Sequence, residues 1–143
     1  MDGSIWLSDS SVRLVLLRAV LLVAAVFEAA VGGVSQIFFA RRASLREGRG
    51  YDPAFHGLMQ DFGFYNLAIA TLLCVAAVDP ARHRSMIAIA IGLYLVHGTT
   101  HVLRYLGLYY GGETPLPTRP RERELKQGAL LLAGAAGMIL FFP

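Results

Sequence analysis

His97 and His101 stand four residues apart in a stretch of chain that is otherwise almost uncharged. On a helix that spacing puts both imidazoles on one face, and Tyr94 and Arg104 extend the stripe to Tyr94, His97, His101 and Arg104. Two carboxylates also lie in apolar surroundings, Glu28 and Asp61. Asp61 shares a helical face with Tyr65, next to Gln60 and Asn66, while Glu28 shares one with Gly32 and Ser35. A carboxylate beside an imidazole can pass protons, and a carboxyl group withdrawn from water suits general acid or relay work. Glu28, Asp61, His97 and His101 are therefore the acid, base or relay candidates. His97 and His101 could instead hold one divalent metal ion, with Glu28 or Asp61 completing the shell. The Glu-x-x-His repeat of di-iron bundles is missing, and two histidines one turn apart cannot occupy opposite faces of a haem. The same groups also admit a purely structural role as interhelical pairs, each contributing about 0.6 kcal/mol on average in a membrane.

These residues need elements that place them together, and the apolar sequence around them supplies four. Hydrophobic blocks cover residues 14–40, 57–78, 85–108 and 125–142, each able to cross a hydrocarbon layer as a helix. Asp79-Pro80 stops the second block, because proline cannot continue the helix and restricts the residue before it. The reading is an all-α, integral membrane four-helix bundle of up-down-up-down order, formed as one transmembrane domain over residues 1–143. The mixed-charge run 119–126 is expected to begin the fourth helix outside the bilayer, and the fourth span itself offers no ionisable group. Small residues recur every fourth position at Ala25, Ala29 and Gly33 and at Ala129, Ala133 and Gly137, which allows close helix approach within the chain or against another subunit.

Counting Arg and Lys gives four on the side of the N-terminus and the second loop, against eight in the first and third loops. Loops 41–56 and 109–126 are then cytoplasmic and both termini outside. With a rise of about 1.5 Å per residue, Asp61 and Arg104 fall roughly 5 Å into the layer, His101 roughly 10 Å, and His97 and Glu28 roughly 15 to 18 Å. Asp61 is expected to reach Arg104 or His101, and Glu28 to reach His97. The result is a polar cleft between three helices, closed on its fourth side by an apolar one. Ser35, Tyr65, Asn66, Tyr94 and Arg104 would contact a ligand there, with Phe38, Phe62 and Phe64 adding apolar lining.

Composition excludes other classes. The mean hydropathy of +0.52 and a charged fraction of 16% lie far from the soluble norm of roughly 25% charged residues. A soluble helical core would need broad polar faces, which residues 19–40 and 86–96 lack. The net charge of +3 comes mostly from loop arginines flanking apolar blocks, so orientation in a membrane explains it and nucleic acid does not. Cys74 stands alone, which rules out a disulfide within the chain. Residues 1–11 carry Asp2 and Asp9 but no basic residue, unlike a signal peptide, so the first span is expected to be retained. Trp6, Tyr51, Tyr105, Tyr109 and Tyr110 fall where aromatic belts form.

The Arg13-to-Ala40 span with its late Gly32-Gly33, the segment Asp61-Phe-Gly-Phe-Tyr65-Asn-Leu-Ala and the Asp79-Pro80 turn resemble small four-helix bacterial membrane proteins of the DoxX-like group. That resemblance covers the first three spans and implies a bundle in the bacterial plasma membrane, for some members as a redox-linked subunit associated with quinone chemistry. It transfers no catalytic residue, and the pair in His97-Gly-Thr-Thr-His101 is not part of it. The leading expectation is a small membrane subunit or binding protein whose cleft holds a lipophilic ligand, quinone- or isoprenoid-like, and handles protons around it. Its partners are the lipid bilayer and other membrane subunits or further copies. One alternative is a free-standing membrane enzyme using Glu, Asp and His as acids, bases or metal ligands; another is a purely structural subunit.

Overall fold

The computed structural model describes residues 10–38, 53–108 and 121–142. Expectations on Trp6, Tyr51, Tyr109, Tyr110 and most of the first and third loops fall outside these residues. The described chain is helical throughout its length apart from short turns. Helix α1 covers Ser10–Phe27 and runs without a break into a π-helical segment, Glu28–Val34; α2 covers Pro53–Val78, α3 Arg84–Tyr105 and α4 Arg121–Phe141. Four helices are long and apolar enough to cross a membrane: Ser10–Phe38, His56–Val78, Arg84–Tyr105 and Glu122–Phe141.

The ends of these helices have identifiable causes. Val78 closes α2 ahead of Asp79-Pro80, as expected, and Asp79 then caps the turn, accepting from the Arg82 amide at Oδ1 (3.2 Å) and from the His83 amide at its carbonyl (3.2 Å). Span three is shorter than the sequence suggests. Gly107 takes a φ of +75°, the Leu108 amide donates to the Leu103 carbonyl and the Gly107 amide to that of Arg104. This glycine-based stop satisfies carbonyls of the last turn and ends α3 at Tyr105 instead of residue 108. Helix α4 begins within the mixed-charge run, as expected, and incorporates the charged residues from Arg121 onward.

Large apolar side chains cover much of the exterior as well as the core. Val23, Phe38, Val78 and Val96 are each about 70% exposed or more, whereas the carboxylates Glu28 and Glu124 are about 5–6% exposed. An exterior this apolar is compatible with a lipid surround.

The chain forms two compact units, Arg18–His83 and the combination of Met1–Leu17 with Arg84–Pro143. In the first unit, α1 and α2 run antiparallel. Arg18 Nη2 donates to the Val78 carbonyl at the end of α2 (3.0 Å), and at the other end the π segment lies against the first half of α2. A Cβ on Gly33 would stand 2.6 Å from Leu67 Cδ2, and one on Gly63 would stand 3.0 Å from the Gly33 carbonyl oxygen. Only glycine permits that approach. The π turn has a register consequence: buried positions Leu21, Ala24 and Glu28 recur every three or four residues, but the next, Gly33, comes five later. The Ser35 amide accordingly reaches back five residues to the Ala30 carbonyl.

In the second unit, α3 and α4 form an antiparallel pair. Ile87, Ala90, Tyr94, Gly98 and His101 are the buried residues of α3, and Glu124, Gly128, Leu131, Ala135 and Met138 form the buried stripe of α4. Both follow the three-and-four spacing of a helix–helix seam. Gly98 faces Leu132, Gly128 faces the Gly98 carbonyl, and Tyr94 lies over Gly134. Within this unit the close approach of α4 is made by Gly128, while Ala129 and Ala133 of the small-residue stripe are exposed. Arg13 Nη2 donates to the carbonyls of Leu140 and Phe142 (3.3 Å each), covering the end of α4.

Candidate functional site: a buried carboxylate and two histidines

The seam of α3 and α4 carries polar chemistry near the start of α4. Gly128 lets the helices approach until a Cβ there would lie 3.2 Å from His101 Cβ, and Glu124, one turn earlier, falls opposite His101. His101 and Glu124 are 5% and 6% exposed, and His101 Nδ1 is 2.6 Å from Glu124 Oε2. Such a distance marks a strong, charge-assisted hydrogen bond. Glu124 lies in the first turn of α4, where free backbone amides favour a negative group.

The second nitrogen of the same ring is also used. His101 Nε2 lies 3.2 Å from His97 Nε2, and the two rings stand with centroids 4.8 Å apart and planes 28° from parallel. The nitrogens are closer than the centroids, so each ring turns its Nε2 toward the other. With Glu124 ionised, His101 carries its hydrogen on Nδ1 and accepts at Nε2 from the His97 Nε2–H. His97 is exposed, so the line Glu124–His101–His97 leads from a buried carboxylate to the surface of α3.

This line can move a proton by exchange. A proton taken up at His97 Nδ1 allows the Nε2 hydrogen of His97 to pass to His101 Nε2; His101 then gives its Nδ1 hydrogen to Glu124. One proton enters at the exposed ring and one ends on the carboxyl group, with each imidazole neutral before and after.

Two expectations need correction. The fourth helix is not an apolar wall, because α4 starts early enough to bring Glu124 into the seam as a buried acid. The carboxylate bonded to His101 is Glu124 of α4. The stripe Tyr94, His97, His101 and Arg104 is also divided: Tyr94 and His101 are buried, Arg104 is half-buried and His97 is exposed, since the seam follows positions 94, 98 and 101.

The remaining candidates belong to the unit Arg18–His83. Glu28 is buried at the first residue of the π segment, and Asn66 is half-buried against Gly32. Ser35, Asp61, Tyr65, Phe38, Phe62 and Phe64 are exposed, so they turn away from the contact of α1 with α2. Among the described residues, no three His, Cys, Asp or Glu side chains gather into one cluster, so the expected set His97, His101 and Glu28 forms no three-ligand centre.

Glu124 was readable in part. Extending the buried stripe of α4 backward from Gly128 by four residues lands on Glu124, ahead of the point where hydropathy places the start of the span. Comparison with protein-family models, curated proteins and solved structures finds no match to this chain.

Proposed function

We propose that this chain is a multi-pass membrane protein that takes up or delivers protons for a lipophilic, quinone-like carrier at the exposed face of α3 around His97. The observation that carries this reading is the line Glu124–His101–His97, running from a buried carboxylate to an exposed ring and joined by contacts of 2.6 and 3.2 Å. A relay of this form has use where a proton must travel between a helix end and a site farther along the helix, and a quinone carbonyl is an acceptor whose reduction needs protons. Resemblance to the DoxX-like group of bacterial plasma membrane proteins supports the carrier class. Electrons would come from a partner subunit, for which the apolar exterior leaves ample surface. In this reading the helices cross in up-down-up-down order, with loops 41–56 and 109–126 cytoplasmic by their arginine content and the termini outside.

Oxidation of decylubiquinol by ferricyanide gives a direct test, because it releases both hydroxyl protons and His97 would act as the base that accepts the first. Purified protein in lipid nanodiscs should accelerate the reaction over empty discs, and Glu124→Gln should remove roughly a hundredfold of general-base assistance while leaving bound quinone unchanged. His97→Ala should lose both acceleration and quinone. If neither substitution changes rate or ligand content, the proton reading fails. The pair's place in the packing seam also favours a second reading, a structural bond that fixes α3 on α4. That reading predicts lower stability for Glu124→Gln with no kinetic effect.

A further inference from the structure

The arrangement of His97 and His101 carries a second consequence. We propose that these two residues bind a zinc-class divalent cation through their Nε2 atoms and that the ion switches off the relay. The inhibition rests on the proton reading above; the binding does not.

The separation of the two nitrogens is the first argument. Two zinc–nitrogen bonds of about 2.05 Å spanning the observed 3.2 Å enclose about 100°, close to the tetrahedral angle and far from the linear arrangement of a two-coordinate cuprous ion. Ring orientation is the second. Because the nitrogens are nearer than the centroids, at 3.2 against 4.8 Å, each ring leans its Nε2 toward the other. The third argument is Glu124. A carboxylate on Nδ1 holds His101 in the tautomer with a free Nε2 lone pair and raises its strength as a ligand, an arrangement that recurs behind metal-bound histidines.

Access and capacity follow from the same geometry. His97 is exposed and lies about 12 Å along the axis from the end of α3, so an ion can enter from the side of the membrane where α4 begins. The protein supplies these two ligands, and water completes the shell. His97 must then carry its hydrogen on Nδ1, and two nitrogen–metal bonds replace the hydrogen bond between the rings. With both Nε2 lone pairs occupied, no hydrogen can cross from His97 to His101, and the relay is broken at its middle step.

Full-length, tag-free protein in nanodiscs, titrated with Zn(II) by calorimetry, should bind one ion per chain, and Co(II) should give the visible spectrum of a tetrahedral site. His97→Ala should abolish binding. Because His97 lies on the exposed surface, that variant should fold, and its circular dichroism checks this. Glu124→Gln should weaken binding about 10- to 100-fold, and His83→Ala should leave it unchanged. Zn(II) should also suppress protein-dependent decylubiquinol oxidation at the same concentrations. Absence of Zn(II) binding, or binding unaffected by His97→Ala, overturns the site. Saturation that leaves a Glu124-dependent rate intact overturns the switch. Should wild-type protein show no Glu124-dependent rate at all, the proton reading falls while His97-dependent Zn(II) binding still sustains the site.

Discussion

In the unit Arg18–His83 the helices meet where Gly33 lies under Gly63, and the buried carboxylate, Glu28, sits where the α-helix widens into a π-helix. In the other unit Gly98 and Gly128 make the corresponding approach, both helices stay regular, and the buried carboxylate is bonded to a histidine of the facing helix. Close approach through glycine is common to the two. What differs is how an acidic group is accommodated. Glu124 keeps its helix intact because it lies in a first turn, next to unsatisfied amides and a partner ring. Glu28 lies far from any helix end, and the extra residue of the π turn moves the buried stripe from Glu28 to Gly33 so that the two glycines coincide. One unit joins its glycine contact to a bond between side chains, the other to a π turn.

Substitution at the backbone contact should therefore produce the largest effect. A side chain on Gly63 meets the Gly33 carbonyl oxygen and the Ile37 backbone nitrogen as well as a side chain, and backbone atoms cannot rotate away. Gly63→Leu should destabilise by about 3 kcal/mol, the upper part of the range for overpacking, read from denaturation of the detergent-solubilised protein. Next comes Glu124→Gln, which exchanges a charge-assisted bond to His101 for a neutral one. A loss of about 2 kcal/mol is expected in the same measurement. If Glu124→Gln costs as much as Gly63→Leu, the contrast between the units disappears.

A smaller effect tests the close approach in the α3–α4 unit. A Cβ on Gly98 would lie 2.9 Å from Leu132 Cγ, the body of a side chain that can change rotamer, and 3.2 Å from the Gly128 carbonyl. Gly98→Ala should cost about 1 kcal/mol by denaturation, less than any substitution at Gly63, because the obstacle is mainly mobile.

Much of the fold was legible because its signals are cumulative. Each span is at least twenty residues long and predominantly apolar, and Asp79-Pro80 forbids helix at one defined point. The site was half legible. The spacing of His97 and His101 puts them together on any helix, and the structure does so. Glu124 was hidden because hydropathy begins the span at residue 125, whereas the helix and its buried stripe start earlier and treat the acid as a seam position. Asp61 is exposed on α2, and the contact with α1 is set by Gly63 on a different face. The π turn could not be read at all, since nothing in Glu-Ala-Ala-Val-Gly-Gly-Val distinguishes a hydrogen bond over five residues from one over four.

The smallest predicted effect concerns the arginines that cover helix ends. Arg18 gives one bond of 3.0 Å to the Val78 carbonyl, and Arg13 gives two longer ones of 3.3 Å to Leu140 and Phe142. In both cases a cation meets the negative end of a helix, an interaction of about 0.5 kcal/mol when exposed. Arg18→Ala and Arg13→Ala should each cost about that much, and most of the loss should vanish in high salt, where the charge is screened. Lysine in place of Arg18 should keep the electrostatic part because the charge remains. Lysine in place of Arg13 should keep less, since one planar guanidinium nitrogen reaching two carbonyls is harder for a single ammonium to reproduce. Equal losses for the two lysine variants would mean that charge alone matters at both helix ends, and that the paired contact of Arg13 adds nothing to the unit that carries the relay.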